Sequence, residues 1–223
     1  MKKAGTIFWD DSILLIVFNL FTFLSILPAL LVNSLVQETI SIVTSLITTL
    51  LFFPIAFFLF ALFSAVHNLS QGNVVKVSDY FHYMRQMGKQ AFVWGALNLL
   101  SFLLFGWNLR FYAQFDEAWG AMMQLLFLSL AFIWFVLQLL MLPIYPRLQK
   151  PGFKLALRNA AGMMGRYPFP LISIIILIAF LLTLTFLFQF AAIFFTFALI
   201  TVLLEGLVSE ILKIEIKPDA EEN

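Results

Sequence analysis

From Leu171 to Leu204 the chain runs for 34 residues without one charged side chain. A straight helix of that length is ~50 Å long, against about 30 Å of bilayer hydrocarbon. The run is too apolar for a surface in water and too long for a single crossing, even a tilted one. Two spans folded back on each other are therefore expected, with the reversal near Thr183 to Phe190. Thr183, Thr185 and Gln189 are the only polar groups there, and no Gly, Pro or Asn marks the turn.

Four more stretches approach the roughly 20 residues a span needs. They run from Ile13 to Val36, from Ile40 to Val66 with Pro54 inside, from Ala91 to Leu109, and from Gly120 to Tyr145 with Pro143 near the end. The first follows Lys2 and Lys3 as a signal peptide would. Asp10 and Asp11 interrupt that pattern, and no small-x-small cleavage site closes the run, so it reads as a retained span with Asp10, Asp11 and Ser12 at its capping end. Asn19, Thr22 and Ser25 fall on one flank of it and are expected to face protein rather than lipid. Across the chain 62% of residues are hydrophobic and 11% charged, where soluble domains carry about 25% charged. The expected fold is all-α, a polytopic membrane helix bundle of six transmembrane helices. Its single membrane domain covers 13–208, between an N-terminal segment 1–12 and an acidic tail 209–223.

Two linkers differ in character. Ser70 to Gln90 places Val77, Phe81, Met84, Gly88 and Ala91 on one helical stripe, with Ser78 as N-cap and Asp79, His82, Gln86 and Lys89 opposite. Pro146 to Tyr167 places Phe153, Leu157, Ala161 and Met164 on one side and Lys154 and Arg158 on the other. Both read as amphipathic helices at the headgroup boundary. They also echo each other. Met87-Gly88-Lys89 stands against Met164-Gly165-Arg166 at an offset of 77 residues, which sets a candidate repeat of 40–111 on 117–188.

With both linkers and both termini placed in the cytoplasm, 12 of the 13 basic residues lie inside and only Arg110 lies outside. That asymmetry is the positive-inside signature of an inner-membrane protein. The outer loops, Asn33 to Thr39 and Arg110 to Trp119, have no room for a further domain.

The first span with Asn19 and then Pro28, the long second span ending in a basic amphipathic stretch, and the second basic helix before the last spans resemble the YesL-like family of bacterial integral membrane proteins. The resemblance covers Phe8 to about Leu207 and carries no catalytic signature. It implies a link to carbohydrate import, since members are often encoded beside sugar permeases and glycan-degrading enzymes, and it assigns no residue a role.

Chemistry is sparse. Without cysteine there is no disulfide, thiolate nucleophile or Cys-ligated metal. A net charge of +1 supplies no field for nucleic acid. No zinc, phosphate-loop or serine-nucleophile motif is present, and no cofactor is implied. His67 and His82 read as interfacial groups, and Glu205 as a snorkelling residue at the end of the last span. The polar groups left in the spans are Asn19, Asn98, Asn108, Gln124, Gln138 and Gln189, better suited to helix packing than to a path. Ala91, Gly95 and Ala96 mark the third span as closely packed, Pro54 marks a hinge or kink, and Trp9, Trp94, Trp107, Trp119 and Trp134 mostly sit where interfacial anchors should.

The expected function is a non-catalytic membrane protein that partners a transport complex or lipid through Lys89, Arg147, Lys150, Lys154, Arg158 and Arg166. The alternative is a sugar-like solute carrier acting alone, with Asn19, Asn98 and Gln138 lining a cavity. Neither reading specifies ligand or oligomeric state.

Overall fold

A computed structural model describes residues 6–7, 11–35, 42–188 and 193–216. The two N-terminal lysines, Trp9, Asp10, the loop 36–41, Gln189 and the tail 217–223 lie outside these residues. The described residues form helices, turns and short connections and contain no strand. In chain order the helices are α1 Ser12–Leu35, α2 Ile42–Leu51, α3 Ile55–Ser70, α4 Val77–Gln86, α5 Gly88–Tyr112 and α6 Ala118–Ile144. A 3₁₀ turn, Tyr145–Arg147, leads to α7 Phe153–Arg166, α8 Pro168–Leu187 and α9 Thr196–Ile216.

Among the described residues, five segments are long and apolar enough to cross a membrane: Ser12–Val32, Ile47–Ser70, Gly88–Tyr112, Ala118–Arg147 and Pro168–Leu187. They correspond to the first five expected spans, and the protein is a multi-pass membrane protein. The last helix differs. Its first nine residues continue the charge-free run, but Glu205, Glu210, Lys213 and Glu215 follow within the same helix.

Pro54 has no N–H to give a helical ladder, and its ring excludes the carbonyl four residues back. The chain responds by tightening: Phe52, Phe53, Ile55, Ala56 and Phe57 each donate to the carbonyl three residues earlier, at 3.0–3.2 Å. The second span is thus two helices, α2 and α3, joined at a kink. The fifth span ends at Leu187, inside the range expected for the reversal, Thr183 to Phe190. Thr183 and Thr185 do not end α8. Each returns its hydroxyl proton to the carbonyl four residues back, Ala179 and Leu181, at 2.9 and 2.8 Å, and the helix continues to Leu187.

Helix α3 is the hub. It packs against α1, α4, α5, α6 and α9. One side, with Ala56, Phe60 and Phe63, meets α5, α6 and Tyr145 in one apolar cluster. The other, with Ala61, Leu62, Ala65, Val66 and Leu69, meets α1, α4 and the start of α9 in a second. The small-residue strip on α5 is where α3 comes close. Ala91 and Gly95 are buried, and a Cβ at position 95 would stand 3.0 Å from Ala56 Cβ and 3.1 Å from the Phe53 ring.

The inward face departs from the expected apolar stripe on α4, whereas on α7 three of the four expected residues, Phe153, Leu157 and Met164, pack against the core. On α4 the buried residue is Tyr80, while Val77 and Phe81 are about two-fifths exposed. On α7 the buried line is Ala156, Ala160 and Met163, and Ala161 faces outward. The cap of α4 also moves from Ser78: the Lys76 N–H donates to Asp79 Oδ2 at 2.8 Å. Element order repeats at the 77-residue offset, since α3, α4, α5 and α6, α7, α8 each run long, short, long. In both sets the short helix packs on the long helix before it.

Candidate functional site

Three helices converge on one ionised cluster. His67 and Ser70 come from the last turn of α3, Arg147 from the 3₁₀ turn after α6, and Glu205 and Ser209 from the middle of α9. Pro143 and Pro146 shape the arginine's approach, because neither can extend the helical ladder and the tight turn between them brings residue 147 back toward the bundle. Arg147 Nη1 donates to Glu205 Oε2 at 2.7 Å and Nη2 to Glu205 Oε1 at 2.6 Å, a bidentate fork. The same guanidinium reaches Ser209 Oγ at 2.7 Å and the Pro143 carbonyl at the end of α6. That carbonyl belongs to the last turn, where helical acceptors have no intrahelical donor.

His67 Nδ1 lies 2.9 Å from Glu205 Oε1. A carboxylate accepts only, so Nδ1 carries the proton. Ser70 Oγ stands 3.0 Å from the same oxygen and 2.7 Å from His67 O, and its single proton serves one of the two. Glu205 is 1% exposed in its side chain and Arg147 13%. The expectation of a snorkelling Glu205 is therefore corrected: the carboxylate is buried and saturated with donors. Arg147 is likewise removed from the candidate docking set, because its donors point into the bundle. His67 serves this cluster rather than the interface, whereas His82 is exposed on α4. Among the described residues no group of three or more His, Asp or Glu side chains gathers as a metal set would. Chemically the cluster is a clamp. It ties α3, α6 and α9 at one level.

The remaining basic candidates, Lys89, Lys150, Lys154, Arg158 and Arg166, are exposed. Lys154 and Arg158 stand one turn apart on α7, on the opposite side from the buried Ala156 and Ala160. Leu155, between them in sequence on α7, is exposed too.

The amide candidates do not share a cavity. Asn19 accepts from the Ala198 N–H at 2.9 Å and donates to the Ile193 carbonyl at 2.6 Å. It caps the buried N-terminus of α9, whose first N–H groups have no helical acceptor and no water beside them. Thr22 and Ser25, the other members of that flank, are buried as expected. Asn98 and Gln138 meet each other elsewhere, between α5 and α6, at 3.1 Å. Trp94 and Trp134 turn inward at the same place rather than anchoring at the interface: Trp94 is buried, and Trp134 Nε1 donates to Asn98 Oδ1 at 3.3 Å.

The capping role of Asn19 makes a direct prediction. Asn19→Ala strands a buried N–H and a buried C=O, each costing about 1–3 kcal/mol. The expected result is a loss of about 2–4 kcal/mol in SDS-induced unfolding from mixed micelles, with local hydrogen exchange accelerated at Ala198. A variant as stable as the parent would remove Asn19 from this role.

No protein-family model, curated protein or solved structure matches this chain.

Proposed function

We propose that the protein is a non-catalytic integral membrane protein that works as an accessory to a membrane transport complex. It docks through the exposed basic face of α7, with Lys150, Lys154 and Arg158, and the neighbouring Lys89 and Arg166. The observation that carries this reading is the sorting of polar groups. The ion cluster in the bundle is internally neutralised, while the patterned charge left over is on one surface. In this reading α9 is the sixth crossing, α4 and α7 lie at the headgroup boundary, and that boundary and both termini are cytoplasmic on an inner membrane. Carbohydrate uptake is the process suggested by the resemblance to YesL-like proteins.

Anionic lipid attracts each nearby Lys or Arg by about 1 kcal/mol, so lipid contact alone competes as an explanation for the same residues. Native purification in mild detergent separates the two. A stoichiometric transport partner is expected with the parent chain and is expected to be lost with Lys154→Glu and Arg158→Glu together. Isolation of the parent without any partner, or a partner retained by the reversed pair, would overturn docking through α7.

A further inference from the structure

Among the described residues, four buried side-chain atoms have no hydrogen-bond partner: Gln90 Oε1, Trp94 Nε1, Gln138 Nε2 and the Tyr145 hydroxyl. They belong to one strip. Gln90, Trp94 and Asn98 follow at four-residue spacing along α5, which keeps them on one side of the helix. Gln138 and Tyr145, seven residues apart, are two turns apart along the facing α6 and its terminal turn. Phe60 of α3 borders the strip, with its ring centroid 5.9 Å from that of Trp94 and 4.8 Å from that of Tyr145. At the linker end, Gln90 Nε2 reaches the Pro151 carbonyl at 3.5 Å.

The orientation of the amides follows from partners that cannot be reversed. The Trp134 indole only donates, so Asn98 turns its oxygen there, at 3.3 Å. The Trp94 carbonyl only accepts, so Asn98 turns its nitrogen there, at 2.8 Å. That nitrogen also faces Gln138 at 3.1 Å, so Gln138 must present its oxygen to it. The Gln138 nitrogen is left as a donor with no acceptor, and the Trp94 indole is a second. Gln138 is 3% exposed, Tyr145 0% and Trp94 9%.

Buried donors in native interiors almost always find a partner, in the protein or in a bound molecule. Partner atoms must accept from the two N–H groups and donate to Gln90 Oε1, and hydroxylic oxygens can do either. No Asp, Glu, Lys, Arg or His belongs to the strip, which favours an uncharged ligand, and the Trp94 and Tyr145 rings offer apolar faces beside the polar atoms.

We propose that the α5–α6 seam is a binding site for a small uncharged hydroxylic ligand, water or the hydroxyls of a polyol, held by Trp94, Gln138 and Tyr145 and reached from the Gln90 end. The proposal stands on the seam alone and is independent of docking through α7.

The test uses the full chain in detergent, with the Trp94 indole isolated as the ultraviolet resonance Raman difference between the parent and Trp94→Phe. Glycerol is the polyol probe. A hydrogen-bonded indole in plain buffer, unchanged by glycerol and weakened by Gln138→Leu, supports water. A saturable shift of the indole band with glycerol, lost in Gln138→Leu, supports the polyol. A free indole N–H under both conditions overturns the site. If Trp94→Phe does not fold, indole-¹⁵N-labelled parent protein reads the same N–H by its cross-peak to water or glycerol, with Trp134→Phe assisting assignment.

Discussion

Arg147→Ala is expected to lower the unfolding free energy by about 3–5 kcal/mol, the largest effect of any single charge change in this chain. The substitution removes both limbs of the fork on Glu205 and leaves a carboxylate, 1% exposed, with only His67 and Ser70 as donors. It also frees Ser209 and the Pro143 carbonyl of their shared partner. Glu205→Ala is expected to cost less, since Arg147 is 13% exposed and its long side chain can move its charge toward water. Replacing both, as Arg147→Met with Glu205→Leu, removes the desolvation cost and the attraction together, and is expected to recover most of the loss. SDS-induced unfolding from mixed micelles, followed by tryptophan fluorescence, gives the four values of the cycle formed by the parent, Arg147→Met, Glu205→Leu and the double variant. A coupling near zero, with each single variant within about 0.5 kcal/mol of the parent, would mean that the pair is solvated and that α3, α6 and α9 are held by apolar packing alone.

The cluster also marks what the sequence does and does not disclose. The membrane class, the helical fold and the five spans are legible because hydrocarbon imposes a length on every crossing, and a length can be counted along the chain. The split of the long apolar run is legible for the same reason, although no turn residue announces it. The clamp is not legible. His67, Arg147 and Glu205 are 80 and 58 residues apart in sequence, and each alone falls where an interfacial side chain would. Only the convergence of two helix ends on the middle of α9 makes them one group. The amides are half legible. Asn19 and the Asn98–Gln138 pair read as packing groups, but a cavity common to all three required a helix arrangement that periodicity cannot supply.

The short helix α4 is misread for a more specific reason. An apolar stripe on a soluble helix points to the protein core because water is the only alternative. At a bilayer surface, lipid competes for the same side chains. Val77 and Phe81 form the more regular stripe on α4, yet they are exposed, and the helix is fixed to the bundle by Tyr80. The polar end of a tyrosine, which lowers its rank in a hydrophobic pattern, is what this position uses.

Tyr80→Ala is the second large effect. Tyr80 is fully buried, its ring stacked on Phe18 with centroids 4.6 Å apart and bordered by Phe21 and Phe58. Its hydroxyl donates to the Phe58 carbonyl at 2.9 Å and lies 3.0 Å from Thr22 Oγ1, where it accepts or leaves the Thr22 proton to Phe18 O. Burial pushes the phenol well above its ordinary range, so it stays protonated and able to donate through neutral pH. Truncation to alanine leaves a cavity between α1, α3 and α4 and is expected to cost about 3–5 kcal/mol. Tyr80→Phe keeps the ring and removes only the hydroxyl's bonds to the Phe58 carbonyl and Thr22, for an expected cost of about 0.5–1.5 kcal/mol. The two variants separate packing from bonding. Hydrogen exchange should place the alanine effect first in α4, residues 77–86, with α5 and α6 protected as in the parent, because Tyr80 joins α4 to α1 and α3 and makes no contact in the seam. Equal losses in both variants would assign the whole effect to the hydroxyl, and an unchanged α4 would show that the helix is held by the membrane surface rather than by Tyr80.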